Sequence, residues 1–236
     1  MTTSDTTVER FRSLPTAVVA DVFRYSGYFQ QVMNPSIQPL HDGWKLCGRA
    51  FTHSNLPRRK NEPNVFDKAE QAMRPGEVIV ESYLGAWGIN FAVGAHARGC
   101  AGVVVDGPHR DLAAHRELLP DFPVFCRRGL EERSANPGGS HRSFRTRWLH
   151  AFNVPINCGG VRVEPGDIIL GDDDGVVVIP REIEQDILGF AAQLEKAEHE
   201  VLDMKRAAKG DAEAHQPIDR WVKETKIQEW GRGQQR

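Results

Sequence analysis

The chain has 236 residues, 30 basic and 32 acidic side chains, and a formal net charge of −2. A chain of this length buries roughly 70–75% of its unfolded surface, so its core needs neither a disulfide nor a metal. The balanced charge argues against a bulk nucleic-acid binder. The apolar runs are strand-length, far below the roughly 18 residues of a membrane span, and the polar N-terminus is unlike a secretory signal. We expect a cytoplasmic protein that binds neither membrane nor nucleic acid.

The four cysteines are spread through the chain and form no C-x-x-C pair; they are Cys47, Cys100, Cys126 and Cys158. Zinc fingers and dithiol redox motifs need short spacings, so neither is expected. Isolated cysteines of this kind usually behave as small buried hydrophobic residues. We therefore expect reduced, unreactive thiols.

The N-terminal part alternates helix and strand patterns. In chain order we predict a helix over Val8–Tyr25 that is interrupted at Pro15, a strand over Leu46–Thr52, a helix over Asn64–Met73 and a strand over Glu77–Glu81. Asn64 is the expected N-cap of its helix. Proline in the first turn suits the second half of the interrupted helix.

The middle of the chain continues this alternation. The expected elements are a helix over Trp87–Ala97, a strand over Ala101–Asp106, a short helix over Asp111–Glu117 and a strand over Phe122–Phe125. The run AGVVVD has no polar alternation, which is typical of a strand covered on both faces.

A strand-rich block and a long helix complete the pattern. Strands are predicted over Pro155–Val161, Asp167–Gly171 and Val176–Ile179, and a charged helix over Arg181–Lys209. The three aspartates that begin at Asp172 resemble a metal cluster, but their position before Gly175 favours a hairpin turn. The order of elements predicts a mixed α/β layered fold. No dinucleotide-binding or P-loop motif is present, which excludes those nucleotide sites.

Two short segments carry the chemistry. Gly88 opens a helix, so the amides from Gly88 to Phe91 lack intrahelical partners and suit a carboxylate or oxyanion. A buried strand ends at Asp106 and delivers Arg110 and Asp111 to the sheet edge. Arg110 suits a carboxylate or enolate oxygen, and Asp111 suits Mg²⁺ or Mn²⁺. The alternative is a surface loop in which these two side chains form ion pairs with their neighbours.

Several motifs, in order and at sensible spacings over about residues 12–210, resemble one family. They are Leu14–Ala17 (LPTA) with Asp21, Gly48–Thr52 (GRAFT), Trp87-Gly88, Gly102–Asp111 (GVVVDGPHRD), Asn153–Ile156 (NVPI) with Gly159–Val161, Pro165–Asp167 and Asp172–Pro180. This family contains the 4-hydroxy-4-methyl-2-oxoglutarate / 4-carboxy-4-hydroxy-2-oxoadipate aldolases and the regulator of ribonuclease activity A.

The resemblance implies an α/β/β swivelling-domain-like fold with a long C-terminal helix, as one domain over 1–210 followed by an extension over 211–236. It implies a homotrimer or homohexamer whose sites lie at subunit interfaces. It further implies a class II, divalent-metal-dependent pyruvate aldolase that also decarboxylates oxaloacetate. The 2-oxo acid substrate would be bound by the amides of Gly88, Ile89, Asn90 and Phe91 and by Arg110.

By the same resemblance, Asp111 is the metal ligand, Arg110 stabilises the enolate, and a carboxylate from a neighbouring subunit's C-terminal helix assists proton transfer. We assign that carboxylate to Glu200, with Glu195 and Glu198 as alternatives. Two other functions stay open. One is a non-catalytic regulator that binds a ribonuclease, and the other is a different metal-dependent lyase or hydrolase on the same scaffold.

Three further features fall outside this assignment. The segment 141–150 carries three arginines and no acid, and it suits a second carboxylate pocket, a basic interaction patch or a solvated loop. The extension contains Trp221 and Trp230, which are unfavourable in water and are expected to pack on the same or a neighbouring subunit. His109 and His115 flank the site loop, which carries Arg110 and Asp111, and either could shuttle protons near neutral pH, but a lone histidine is more often structural or solvated.

Overall fold

The computed structural model describes residues 5–28, 30–57, 65–82, 87–127, 147–207 and 215–234. The helices are α1 (Thr6–Arg12), α2 (Thr16–Ser26), α3 (Phe66–Ala72), α4 (Ile89–Ala97), α5 (Leu112–Leu118), α6 (Glu184–Arg206), α7 (Gln216–Thr225) and α8 (Ile227–Gln234), with a 3-10 turn over Arg181–Ile183. The strands are β1 (Ile37–Pro39), β2 (Leu46–Pro57), β3 (Glu77–Glu81), β4 (Gly102–Val105), β5 (Val124–Arg127), β6 (Arg147–Phe152), β7 (Ile156–Cys158), β8 (Val161–Val163), β9 (Ile168–Asp172) and β10 (Gly175–Ile179).

Within these ranges the main sheet has eight strands. Seven of them follow the order β1-β5-β4-β3-β2-β9-β10, and β6 pairs with the far end of β2. The pairs β2–β3, β3–β4 and β4–β5 are parallel, and the other pairs are antiparallel. Val32, just before β1, forms a bridge with Val177 of β10, so the two ends of the sheet meet and the sheet is nearly closed. The predicted mixed α/β fold with a long C-terminal helix is confirmed.

Strand β4 shows why the central strands are apolar throughout. Val104 faces the inside of the curved sheet, where it packs in the same cluster as Val178. Val103 and Val105 face outward into a second cluster, which is covered by α3 and α4. A third cluster joins α1, α2 and α6 to the outer face of β9 and β10. Because both faces of β4 are buried, its sequence has no alternation of polar and apolar residues, as predicted from the AGVVVD run.

The four cysteines are free and buried, as expected. Burial raises the pKa of the Cys47 thiol to about 12 and that of Cys100 to about 11. Both thiols are therefore protonated near neutral pH and are poor nucleophiles.

One predicted strand is wrong. The segment Pro155–Val161 forms a hairpin of β7 and β8, because Gly159 and Gly160 adopt φ values of 59° and 84° and reverse the chain. Strands β1 and β6 and helices α7 and α8 were not predicted. The proposed N-cap Asn64, the domain boundary at 210 and most of the arginine-rich segment lie outside the described residues.

The aspartate run is a turn, as predicted. Asp172 and Gly175 are paired at the end of the β9–β10 hairpin. The Asp172 carboxylate accepts hydrogen bonds from the backbone amide of Thr16, at 2.9 Å, and from the Thr16 hydroxyl. This carboxylate therefore caps the N-terminus of α2, where Pro15 offers no side-chain cap.

The C-terminal extension packs on its own chain. Trp221 is 5% exposed and Ile227 is fully buried, both in the cluster formed by α1, α2 and α6. Trp230 donates a hydrogen bond from Nε1 to the Asp186 carboxylate at 3.0 Å. None of the helices in the described part of the chain is long and apolar enough to span a membrane.

This packing predicts the effect of removing the extension. Replacing Trp221 by alanine should lower the free energy of unfolding by about 3–5 kcal/mol, because a large buried side chain leaves a cavity. Truncation after Asp219 should cost more, since it also removes Ile227. Thermal melting of both variants tests this, with exposed Lys223→Ala as control. Melting curves like that of the unaltered protein would contradict it.

Candidate active site

The two segments singled out in the sequence lie side by side. Gly88 is the N-cap of α4, and the first helical hydrogen bond runs from the Ala92 amide to the Gly88 carbonyl at 3.1 Å. The Ile89 amide donates to Oδ2 of Asp111 at 3.3 Å. A Cβ atom on Gly88 would lie 3.0 Å from the same oxygen and 3.3 Å from Nε of Arg110. The helix end, Arg110 and Asp111 therefore share one small volume.

A backbone bridge holds the segments together. The Trp87 amide donates to the Pro108 carbonyl at 3.1 Å, and the Arg110 amide donates to the Trp87 carbonyl at 3.1 Å. Trp87 and His109 thereby form an isolated parallel bridge. No local sequence pattern predicts this pairing. It places Arg110 directly beside the N-terminus of α4.

Asp111 has an unusual backbone conformation. Its φ of 68° and ψ of 37° lie in the left-handed region, at the residue that precedes α5. Such a conformation is uncommon for a residue with a side chain, although aspartate tolerates it better than most. The conformation turns the chain between Arg110 and α5, and the Asp111 side chain is left 37% exposed at the protein surface.

Arg110 and Asp111 also form an ion pair, with Nε 3.4 Å from Oδ2. From the sequence, such a pair is the alternative to a binding site. Both side chains are about one-third exposed, and ion pairs at this exposure contribute little to stability. The structure thus contains the ion pair, and it leaves both side chains partly exposed beside Gly88.

The donor set suits one kind of metal. Among the residues that the structure describes, no three His, Cys, Asp or Glu side chains are grouped to hold an ion. A closed zinc-type site is therefore not built from these residues. Mg²⁺ commonly uses one or two carboxylates and completes its shell with water and substrate oxygens. The partly exposed Asp111 carboxylate fits that type of ion.

Glu200 lies elsewhere in the single chain. It is on α6, which packs against α1 and α2, and its carboxylate accepts a hydrogen bond from Arg220 of α7 at 2.8 Å. Within the described ranges, no hydrogen bond or ion pair joins Glu200 to Arg110 or Asp111. Its expected place is at a neighbouring subunit's site, which one chain does not test, so this assignment stays a prediction.

His109 and His115 are buried and neutral. His109 is 5% exposed, and burial together with the neighbouring His115 and His41 lowers its pKa to about 3. His115 is fully buried, its Nε2 lies 3.0 Å from the Phe122 carbonyl oxygen, and burial lowers its pKa as well. The two rings pack edge to face, with their centroids 5.0 Å apart. They are poor candidates for a proton shuttle near neutral pH, which agrees with the structural reading that the sequence favoured.

The tight contact at Gly88 leads to a prediction. Gly88→Ala should displace the Arg110 and Asp111 side chains by a few tenths of an ångström and lower kcat/KM about tenfold, because active-site positioning is sensitive to small shifts. Gly189→Ala on α6, where an added Cβ meets no atom within 4 Å, is the matched control. Steady-state kinetics and melting temperature separate loss of activity from loss of stability. Equal kinetics in the two variants would contradict the prediction.

Comparisons with known proteins agree with this fold and these motifs. The model of the RraA-like family, described as Aldolase/RraA, matches residues 16–178. A protein of Halalkalibacterium halodurans named "Putative 4-hydroxy-4-methyl-2-oxoglutarate aldolase" is 34% identical over 186 residues, which cover 77% of this chain and 80% of that protein. A protein of the same name from Burkholderia multivorans is 35% identical over 154 residues, which cover 63% and 84%.

A solved structure supports the same grouping. Streptomyces coelicolor RraAS2, described as an unusual member of the RNase ES inhibitor RraA protein family, superposes with a TM-score of 0.68 at 26% identity. The match covers 84% of this chain and 96% of that one. The family thus includes proteins named as aldolases and proteins named as ribonuclease inhibitors. On the matched length, the identity and the fold, the chain belongs to the Aldolase/RraA family.

Proposed function

We propose that this protein is a divalent-metal-dependent pyruvate aldolase. It would cleave a 4-hydroxy-2-oxo dicarboxylic or tricarboxylic acid to pyruvate and a second oxo acid, and would also decarboxylate oxaloacetate. The observation that carries the proposal is the convergence of the α4 N-terminus, Arg110 and Asp111 on one volume. The names of the aldolase relatives support it.

Substrate binding follows from the groups at the end of α4. The amides from Gly88 to Phe91 point out of the helix end, where the helix dipole favours negative charge. They would receive the carboxylate of the 2-oxo acid, with the Ile89 amide shared between that carboxylate and Asp111 Oδ2, to which it donates at 3.3 Å. Arg110 offers planar donors beside them and would contact the keto oxygen. The substrate's reacting centre would then lie next to Asp111.

The reaction needs a site that accepts negative charge on the keto oxygen. Cleavage of the C3–C4 bond leaves its electron pair on C3, and the charge is delocalised to the keto oxygen as an enolate. Arg110 would stabilise that oxygen. Asp111 would hold a Mg²⁺ or Mn²⁺ ion, which supplies Lewis-acid stabilisation of the same charge when bound. Loss of carbon dioxide from oxaloacetate produces the same enolate, so one site would serve both reactions.

The proton on the C4 hydroxyl needs a base. We assign this role to Glu200 of a neighbouring subunit, in a homotrimer or homohexamer with sites at its interfaces. The Glu200 side chain is 45% exposed on α6, so it is accessible to a neighbouring subunit. Glu195 and Glu198 on the same helix are the alternatives.

A second candidate function is a regulator that binds a ribonuclease without chemistry of its own. It is favoured by the likeness to RraAS2 over most of both chains. The two functions differ in whether Asp111 has to bind a metal, since a docking surface needs no Lewis acid. A third candidate is another lyase or hydrolase on the same metal site.

The deciding experiment measures pyruvate release, coupled to lactate dehydrogenase, from oxaloacetate and from 4-hydroxy-4-methyl-2-oxoglutarate. Each substrate is tested with Mg²⁺ and with EDTA. Metal-dependent pyruvate formation from either substrate is the expected result. A folded protein that releases no pyruvate from either would overturn the proposal, and a pull-down with a ribonuclease would then test the regulator.

A further inference from the structure

A buried carboxylate stands at the start of the site loop. Asp106 directly follows β4, and its side chain is only 3% exposed. Its two oxygens have different partners: Oδ1 forms a close ion pair with Nε of Arg127, and Oδ2 accepts a hydrogen bond from the Gly159 amide at 2.9 Å. The Asp106 side chain is thus held from two directions before the loop begins.

Arg127 makes the other contacts of this arrangement. Its amide donates to the Gly107 carbonyl at 3.0 Å, and its Nη1 donates to the Ser36 hydroxyl at 3.1 Å. One residue at the end of β5 therefore binds the side chain of Asp106, the backbone of the next residue and the segment before β1. We call Asp106, Arg127, Gly159 and Ser36 the corner cluster.

A side chain at Gly159 of this cluster would clash with neighbouring residues. Gly159 has a φ of 59°, and a Cβ there would lie 2.7 Å from Ile37 Cδ1 and 2.9 Å from Met33 Cβ. Only glycine lets the β7–β8 hairpin approach closely enough to present its amide to Asp106. The Gly-Gly pair that reverses this hairpin therefore also completes the corner cluster.

Only three residues separate Asp106 of the corner cluster from Arg110. After Gly107 come Pro108 and His109, and both are fixed: the Pro108 carbonyl accepts from Trp87, and the His109 ring is buried. Arg110 follows and is bonded to the Trp87 carbonyl. Because the intervening residues have so little freedom, a displacement at Asp106 is transmitted to Arg110 and Asp111.

We propose that Arg127 is a positioning residue for the active site, acting through Asp106 and Gly107 to set where Arg110 and Asp111 lie. The expected effect of Arg127 on catalysis rests on the proposed function, whereas its expected effect on the loop does not. Lysine at this position keeps the charge, but a single ammonium group cannot reach Asp106 and Ser36 with the planar spacing of a guanidinium.

The test compares Arg127→Lys with a matched control, Arg49→Lys. Both arginines pair with carboxylates, and their side chains are 22% and 23% exposed. Arg49 binds Asp5, the N-cap of α1, and Glu184 of α6, and has no hydrogen bond to the site loop among the residues described. Both variants should lose stability, but only Arg127→Lys should alter the loop.

Hydrogen exchange is the first measurement because it needs no activity. Amide exchange over 107–111 should accelerate about tenfold in Arg127→Lys, the effect expected when a charged hydrogen bond is lost, and should stay unchanged in Arg49→Lys. Asp106→Asn keeps the shape of the side chain and should give the same acceleration. It also serves as the second variant if Arg127→Lys does not fold.

Catalysis is the second measurement. We expect Arg127→Lys to lower kcat about tenfold to a hundredfold, with a smaller change in KM, because a shift of about 1 Å in an active site has this effect. Equal changes in exchange or in kcat for the Arg127 and Arg49 variants would overturn the positioning role. If the unaltered protein releases no pyruvate, the proposed function fails, while the exchange data still decide whether Arg127 holds the loop.

Discussion

Asp111→Asn is expected to lower metal-dependent pyruvate release by at least about a hundredfold, because a bound Lewis acid lowers the activation barrier by several kcal/mol. The substitution keeps the size of the side chain and removes the charge that attracts the ion. The Asp111 side chain is 37% exposed, so the fold should tolerate the change. Mn²⁺ binding, followed by electron paramagnetic resonance, should weaken in parallel with the loss of turnover.

The control for this variant is Asp121→Asn. Asp121 is an exposed carboxylate near the end of α5 and outside the site, so its replacement should change neither turnover nor Mn²⁺ affinity. Retention of full activity in Asp111→Asn in the presence of EDTA would exclude a metal-dependent reaction at this residue. Loss of turnover with unchanged Mn²⁺ binding would place the ion at another residue.

Local patterns predicted most of the framework that carries this site. The apolar run over Val103–Val105, the aspartate turn before Gly175 and the break at Pro15 each reflect a property of a few adjacent residues. The candidate site could be predicted from the sequence for the same reason. A strand end that delivers Arg110 and Asp111, and a glycine that opens a helix, are both local features.

The pairing of the segments that contain Trp87 and His109 could not be predicted from local patterns. The Trp87–His109 bridge joins residues 22 positions apart through backbone atoms only, and such a contact leaves no mark on side-chain patterns. The left-handed conformation of Asp111 cannot be predicted from its residue type either, because aspartate also occurs freely with negative φ. The corner cluster was missed since it joins four separate segments.

The missed elements have physical explanations too. Strand β1 has three residues, too few to show a period, and it is defined by pairing with β5 across the closing sheet. The hairpin of β7 and β8 was read as one strand because its apolar residues continue through the turn. Its Gly159-Gly160 pair signals the reversal, and the same pair supplies the amide that binds Asp106.

Arg110→Lys should lower kcat about a hundredfold while it leaves Mn²⁺ affinity unchanged. Lysine retains the positive charge but loses the planar donors that contact a carboxylate or enolate oxygen. Removal of one well-placed donor from an oxyanion site costs about a hundredfold to a thousandfold in kcat. The Arg110 backbone is held by Trp87, so the substitution changes the donor and leaves the loop in place.

This pattern separates the roles of the two adjacent residues. Asp111→Asn should reduce metal affinity and turnover together, whereas Arg110→Lys should reduce turnover alone. Arg116→Lys, an exposed arginine on α5 that lies five residues beyond Asp111, is the matched control and should behave like the unaltered protein. Wild-type turnover in Arg110→Lys would remove Arg110 from the mechanism, and the enolate would then have to be stabilised by the metal and the α4 amides without it. Weaker Mn²⁺ binding in Arg110→Lys would instead show that Arg110 acts by orienting the Asp111 carboxylate, whose Oδ2 lies 3.4 Å from its Nε.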